Sequence, residues 1–314
     1  MKTTVPAMLI TNCTGRKLHK GGASVLDLTP HIGSIDGLAI AWRAALDSVG
    51  SRHIARDLYG GRAIREAEAA ATFMGAPLYV VSAGLGLISV ADVIPAYDLT
   101  VAATGATLLP TLGRLGLTPK DWWRALNGNL GDASPIAALI KRHPGSVTYI
   151  AMPATYLNLI ADELAALPAL DRHRLRIITS PAWQREASPA LVSQSLPYDE
   201  RLESTSFAGT RADFPQRALR HFVQALGGNA LSIEDGRAVV AEAMTMLTLK
   251  VLPERRRCTD IEICSLLRQH WKSNGGSSSR LLRVLRDDLL IKCEQTRFRD
   301  LWRSIHAEME SSTS

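Results

Sequence analysis

Apolar residues along the chain fall into short uninterrupted runs that alternate with longer segments of helical spacing. The strand-sized runs are 8–11, 78–82, 147–151 and 175–179. The segments with helical periodicity are 35–49, 55–74, 154–167 and 214–226. Strands that alternate with helices predict an α/β fold, with a mostly parallel central sheet flanked by helices.

The C-terminal part of the chain has a different pattern, because it is helical throughout. Its predicted helices are 233–252, 260–271, 279–289 and 297–309. A tight turn at 273–279 joins two of them, as in helix-turn-helix-like modules. The Gly-Gly-Asn break at 227–229 precedes this part. We therefore predict an α/β domain over 1–228 and a basic helical domain, in contact with DNA, over 229–314.

Composition and charge narrow the class of protein. Hydrophobic residues make up 46% and charged residues 21% of the 314 positions, a globular balance that excludes wholesale disorder. The formal net charge is +6, and it is concentrated towards the end of the chain. Residues 250–303 hold thirteen Lys and Arg against seven Asp and Glu. This local surplus favours a nucleic-acid partner for the helical part.

Several other classes of protein are disfavoured by the same sequence. The apolar runs are too short to span a membrane, and the first of them is typical of a strand rather than a signal peptide. The four cysteines form no C-x-x-C pair and have no histidine at zinc-finger spacing. We expect a cytoplasmic protein without metal, redox cofactor, membrane contact or obligate protein partner.

Four strand ends are expected to converge, because ligands of parallel sheets bind beyond the carboxyl ends of the strands. These ends are 12–17, 82–86, 152–153 and 180–183. The first, Asn-Cys-Thr-Gly-Arg-Lys, offers backbone N–H groups and cations to an anion, although it lacks Walker spacing. A solvated loop is the alternative interpretation. The second, Ser-Ala-Gly-Leu-Gly, lacks the full dinucleotide fingerprint and predicts no NAD site.

Two further segments carry a carboxylate beside an aromatic ring. Residues 55–62 include Asp57, Tyr59 and a Gly-Gly pair that permits close approach of a ligand to the backbone. Asp57 either caps a helix or faces the pocket. Residues 95–100 place Tyr97 next to Asp98, and Tyr97 is either a stacking ring or an aromatic residue at the edge of the core.

Arginines of the helical part are candidates for contact with DNA phosphates. This predicted set is Arg255, Arg256, Arg257, Arg280, Arg283 and Arg286. The last three recur at every third position, which predicts that they share one helix face. The alternative is a solvated face whose partners are Asp287 and Asp288.

Taken together, four blocks resemble a known superfamily. NCTGRK, ARDLYGGR, SAGLGLI and IPAYDLT occur in the order and approximate spacing of YaaA-like domains, which are related to the core domains of archaeosine-type base-exchange proteins. The resemblance covers about residues 8–100 and extends weakly to SFAGTRADFPQRALRHF at 206–222. Within that superfamily the chain is similar to anti-phage DNA glycosylases, which remove glucosylated hydroxymethylcytosine from viral DNA.

This resemblance implies hydrolysis of an N-glycosidic bond, which leaves an abasic site. Such chemistry needs a carboxylate near the sugar, a pocket for a flipped base, and cations for phosphates. The candidate catalytic residues are Asn12, Asp57 and Asp98. The candidate substrate contacts are Cys13, Thr14, Arg16, Lys17, Tyr59, Gly60, Arg62, Ser82, Gly84, Gly86 and Tyr97. A non-catalytic DNA-binding stress protein and a base-exchange transglycosylase remain as alternatives.

Overall fold

The computed structural model describes residues 6–19, 22–28, 33–103, 105–249 and 253–311. The chain divides into two compact units, Met1–Lys250 and Val251–Ser314. This division lies 22 residues beyond the break at 228 that the sequence pattern indicated (250 against 228). The helix Ile233–Thr245 belongs to the first unit because Ile233, Val240 and Met244 are buried in the core of that unit.

The first unit is built on a five-stranded sheet of order β5-β4-β1-β8-β9. The strands of this unit are β1 (Ala7–Asn12), β2 (Ala23–Ser24), β3 (Arg52–Ile54), β4 (Leu78–Ser82), β5 (Gly86–Ser89), β6 (Val93–Pro95), β7 (Tyr97–Asp98), β8 (Val147–Ala151) and β9 (Leu175–Ile178). In the main sheet β5 is antiparallel to β4, and the other neighbours are parallel. The predicted α/β fold with a mostly parallel sheet is therefore confirmed.

Helices flank this sheet in two groups. They are α1 (Ile35–Asp47), α2 (Ala55–Leu58), α3 (Arg62–Met74), α4 (Leu109–Arg114), α5 (Pro119–Leu130), α6 (Pro135–Arg142), α7 (Ala154–Ala165), α8 (Ala169–His173), α9 (Pro181–Glu186), α10 (Pro189–Val192), α11 (Phe214–Gln224) and α12 (Ile233–Thr245). Helix α3 packs against α11, whereas α5 packs against α1 and α7. The predicted helices at 154–167 and 214–226 are confirmed, apart from their last residues.

One predicted helix is wrong in a way that matters for the site. Periodicity indicated a single helix over 55–74, but the chain forms α2 and then α3, with a turn between them. Tyr59 has an extended backbone (ψ 124°), and Gly61 has a φ of +106°. Glycine adopts that conformation at little cost, so the turn is stable there. The backbone of Tyr59 pairs with that of Lys17 as a result.

The second unit is a small helical body around its own core. Its elements are β10 (Arg256–Arg257), α13 (Asp260–Trp271), α14 (Ser278–Arg283), β11 (Ile291–Lys292) and α15 (Gln295–Ser311). A capping box of Thr259 and Glu262 starts α13, and its predicted bounds are confirmed. Side chains of Ile263, Leu267 and Phe298 are buried in the core. Within the described residues of the whole chain, no helix is long and apolar enough to cross a membrane.

Candidate functional site

The carboxyl ends of β1 and β8 mark a switch point of the sheet. The chain leads from β1 to β4 on one side and from β8 to β9 on the other. Crevices at such points are the usual ligand sites of open α/β sheets. Here the Sγ atom of Cys13 lies 3.2 Å from the hydroxyl of Tyr156, which lies 3.3 Å from Oγ1 of Thr100. Cys13 of the predicted loop after β1 therefore meets Tyr156, which lies in α7 beyond the predicted strand end at 152–153.

A second cluster lies at the end of β4. The hydroxyl of Tyr97 is 2.9 Å from the hydroxyl of Tyr59 and 2.6 Å from Oγ of Ser82. The backbone N–H groups of Gly84 and Leu85 donate to Ser82 Oγ at 3.2 and 3.0 Å. Exposure is 2% for each tyrosine and 0% for Ser82, so the cluster is closed to solvent.

The cluster has three hydroxyl hydrogens but only two contacts between hydroxyls. Both lone pairs of Ser82 Oγ are used by N–H groups, so its own hydrogen is donated to Tyr97. The contact between Tyr97 and Tyr59 uses one of their two phenolic hydrogens. For the other, the described residues offer only Ser82 Oγ, which also lies near the Tyr59 hydroxyl and already accepts from two N–H groups. Buried donors without a partner are rare, so this hydrogen is a candidate donor to a ligand, although the cluster is closed in the structure described.

The phenols of this region are neutral donors rather than bases. Burial, and then the nearby thiol of Cys13, hold the pKa values of Tyr59, Tyr97 and Tyr156 well above the usual value for tyrosine. Removal of each phenol from water disfavours its charged form. At physiological pH the hydroxyls therefore offer hydrogen bonds to the acceptor atoms of a neutral ligand.

Two tryptophans and a glycine fix the position of Tyr97. The indole N–H of Trp42 donates to the carbonyl of Gly84 at 2.7 Å, and that of Trp122 donates to the carbonyl of Ala83 at 2.7 Å. A Cβ atom on Gly84 would lie 2.9 Å from the Tyr97 ring and 3.0 Å from Trp42. Glycine is therefore required at this position. Gly86, with a φ of +72°, begins the return strand β5.

The loop after β1 folds over the phenols. Lys17 Nζ lies 4.4 Å from the centre of the Tyr97 ring and donates to the carbonyl of Thr14 at 3.1 Å. The N–H of Gly60 donates to the carbonyl of Arg16. A Cβ atom on Gly60 would collide with the side chain of Leu18. Lys17 thus supplies a cation at the tyrosine cluster and stabilises the loop.

Two predicted cations are placed elsewhere. The side chain of Arg16 is exposed, and its carbonyl also accepts from the hydroxyl of Thr14. Arg62 binds Glu66 at 3.0 Å, and Glu66 also binds Arg220 at 2.9 Å. Arg62 therefore forms an ion pair within α3 and does not join the phenol cluster, whereas the pair of Glu66 and Arg220 joins α3 to α11.

Asn12 is held entirely by the protein. Its Nδ2 donates to the carbonyl of Cys13 at 2.8 Å, and its Oδ1 accepts from Nε2 of Gln216 at 2.9 Å. Gln216 also donates to Oγ1 of Thr11 and to the carbonyl of Ala151. Asn12 therefore positions the end of β1, and this geometry gives no support to its predicted role in orienting water.

Both candidate aspartates are exposed. Asp57 and Asp98 make no hydrogen bond or ion pair with the described residues. Neither α2 nor α3 has a side-chain cap, so the capping interpretation of Asp57 is wrong. Each carboxylate nevertheless belongs to a segment that carries a clustered phenol, because Asp57 precedes Tyr59 by two residues and Asp98 follows Tyr97.

A cavity of about 660 Å³ is lined in part by residues of α7, among them Thr155 and Asn158. None of the clustered phenols, nor Cys13 or Ser82, is among its lining residues. Trp183, at the fourth predicted strand end, lines it and donates to Oδ1 of Asn158 at 2.7 Å. This volume falls in the range of small-molecule pockets.

Three residues of the site were missed by the sequence-based prediction. Tyr156 had a recognisable signal, because it lies three residues after Pro153 at the start of the helix that follows β8. Thr100 lay inside a quoted block but was not selected. Gln216 lay inside the quoted block at 206–222 but was not selected, and its pairing with Asn12, 204 positions away, has no local signal.

The predicted phosphate contacts of the second unit divide into two groups. Arg255 donates to the carbonyl of Arg286 and to Asp287, Arg286 donates to the carbonyl of Cys293, and Arg256 lies 3.6 Å from Glu262. The prediction of one shared face is wrong for Arg286, which follows α14 in a π-helical turn and is directed to backbone. Exposed arginines without a partner among the described residues are Arg257, Arg280 and Arg283.

The residues present do not suggest a metal centre. Among the described residues, no group of three or more His, Cys, Asp or Glu side chains could share an ion.

Comparison of the chain with family models, curated proteins and solved structures finds no match. The geometry of the site therefore carries the functional argument by itself.

Proposed function

We propose that the first unit hydrolyses the N-glycosidic bond of a modified base in DNA, with glucosylated hydroxymethylcytosine as the base. The observation that carries this proposal is the spare phenolic hydrogen of the Tyr59–Tyr97 pair, buried at the end of β4. A base leaving from its sugar gains negative charge on its ring and carbonyl oxygen. A fixed neutral donor stabilises that charge most strongly where water is excluded.

The aspartates fit the other half of this reaction. A flipped base enters a pocket while its sugar remains in the DNA strand outside. Exposed carboxylates on the segments that carry the phenols suit that sugar, because negative charge stabilises oxocarbenium character and a carboxylate activates water. In this scheme Asp57 and Asp98 are the catalytic candidates, Asn12 is a positioning residue, and Lys17 binds an anionic group near the phenols.

A second candidate function is DNA binding without catalysis. It is favoured by the lack of any hydrogen-bond partner for Asp57 and Asp98 among the described residues. Catalytic bases are usually oriented by a third group, and neither carboxylate has one here. Such a protein would bind modified and unmodified DNA and release no base from either.

Conservative carboxylate variants test the proposal. We expect Asp98→Asn or Asp57→Asn to lower base release from glucosylated DNA by roughly 10²- to 10⁴-fold, since a general base contributes about that much. DNA binding should survive, because each variant removes only a negative charge. The matched control is Glu242→Gln, an exposed carboxylate on α12 of the same unit.

Two outcomes would contradict this assignment. Full base release by both aspartate variants would remove the carboxylates from the mechanism. Incorporation of labelled free base into the DNA would replace hydrolysis with base exchange, which needs a second base as acceptor.

A further inference from the structure

Two cations in the second unit face each other without compensation. Strands β10 and β11 pair in parallel, and Arg257 is the register partner of Lys292. Both side chains are exposed, and neither makes a hydrogen bond or ion pair with the described residues. Like charges directly opposite each other in a ladder are destabilising. The pair therefore has a cost for the folded unit that an anion would relieve.

Most other arginines of this unit have acidic partners. Arg255 binds Asp287, Arg268 binds Glu308, and Arg297 binds Asp260. These three acids are therefore engaged away from the β10–β11 pair. Arg257 and Lys292 have no acidic partner among the described residues, and the same holds for Arg280 and Arg283.

The same two side chains line a recess of about 600 Å³. Its other lining residues are Pro253, Glu254, Arg255 and Arg256. Glu254 is the one acid among these lining residues, against four cations. A concave surface with a surplus of cations concentrates anions from solution.

We propose that the second unit binds the sugar-phosphate backbone of DNA at this recess, through Arg257 and Lys292. A polymer of phosphates fits better than a single anion, because Arg280 and Arg283 on α14 are also exposed and unpaired among the described residues. Separated cations on one small unit suit charges that repeat along a strand. The choice of DNA rests on the proposed function of the first unit. Phosphate contacts would position the protein without reading sequence.

Binding of the full chain to a fluorescent duplex of unmodified DNA, measured at several salt concentrations, tests this inference. We expect the double variant Arg257→Ala/Lys292→Ala to weaken binding roughly 10- to 100-fold and to lower the slope of log K against log salt by about 2. The matched control is Lys272→Ala/Arg303→Ala, which removes one lysine and one arginine that are exposed in the same unit and lie outside the recess. It should keep nearly the full affinity.

Three results would overturn the inference. The first is an equal loss of DNA affinity in the two double variants, which would indicate an effect of net charge alone. The second is an unchanged DNA affinity in the recess variant. The third is binding to duplex RNA but not to duplex DNA. Thermal unfolding provides the folding control, because removal of an opposed like-charge pair should leave the unit at least as stable. Unmodified DNA keeps this test separate from base release, so either proposal can fail without the other.

Discussion

The two units handle their polar groups in opposite ways. In the first, hydroxyls of Tyr59, Tyr97 and Ser82 are buried and bonded to one another, with one hydrogen left over. In the second, Arg257 and Lys292 are exposed register partners, and neither has an ion-pair partner among the described residues. A buried neutral donor suits a specific small group, whereas exposed cations suit a long anion of any sequence.

In the proposed function, this difference separates recognition of a base by the first unit from attachment to a strand by the second. In the first unit the positions of the buried hydroxyls are fixed, because loss of a buried hydrogen bond is costly. In the second unit the exposed cations have no fixed partner, because water screens their charge and the proposed ligand is a polymer. Ionisation or substitution of buried side chains should therefore lower the stability of the first unit. A change in salt concentration should alter the affinity of the second unit for DNA.

Alkaline pH should have the largest effect, and its action through buried tyrosines is confined to the first unit. All six tyrosines lie within residues 1–250. Burial raises the pKa of Tyr149 to about 12 and holds the pKa values of Tyr59, Tyr97, Tyr156 and Tyr198 well above the usual value. Unfolded phenols ionise near pH 10, so the stability is complete below that pH and is lost as the pH rises above it.

For Tyr149 alone, two units of pKa correspond to roughly 3 kcal/mol between pH 10 and 12. Urea unfolding followed by circular dichroism at a series of pH values measures this loss. A midpoint that does not fall between pH 9.5 and 11.5 would show that the phenols are not buried as described.

Substitution of Gly84 should destabilise the site by about 1–3 kcal/mol. In Gly84→Ala the new Cβ atom meets the Tyr97 ring at 2.9 Å and Trp42 at 3.0 Å, and both rings are held by hydrogen bonds. The control is Gly128→Ala in α5, where no atom lies within 4 Å and alanine should stabilise the helix. If denaturant unfolding showed changes of the same sign in the free energy of unfolding of both variants, this packing would be contradicted.

Removal of single hydroxyls should give a smaller effect that depends on position. Tyr97→Phe leaves two donors without acceptors, those of Ser82 and Tyr59, and should cost about 1–3 kcal/mol. Tyr59→Phe leaves one donor without an acceptor, as in the native protein, and should lower the free energy of unfolding by less. The comparison needs only the difference between two unfolding free energies. A larger loss in Tyr59→Phe would mean that the hydrogens are not distributed as the geometry indicates.

The strands of the sheet were predictable because each is a short apolar run with polar residues after it. Leu78–Ser82 and Val147–Ala151 were predicted with the bounds that the structure has. The turn at Tyr59 to Gly61 was missed because helical spacing continues across it, although the extended backbone of Tyr59 and the positive φ of Gly61 interrupt the helix. Tertiary contacts determine the conformation of this turn, and the periodicity of apolar residues does not predict such contacts.

The site was predictable at the level of segments rather than atoms. Parallel strands bring their carboxyl ends together, so Cys13 and Ser82 were expected at one edge of the sheet. Which side chains of those segments are buried depends on packing, and Asp57 and Asp98 were assigned to the pocket although both are exposed. The turn of Arg286 back to the carbonyl of Cys293 likewise depends on a local π-helical turn that spacing of residues does not reveal.

The most direct test of the proposed activity is incubation of the wild-type chain with three duplexes that differ in one base. They contain cytosine, hydroxymethylcytosine or glucosylated hydroxymethylcytosine, and free base and abasic sites are quantified in each. We predict equal amounts of released base and abasic sites from the glucosylated duplex, with little from the other two. Binding to all three duplexes without release from any would contradict a glycosylase and leave DNA binding as the function.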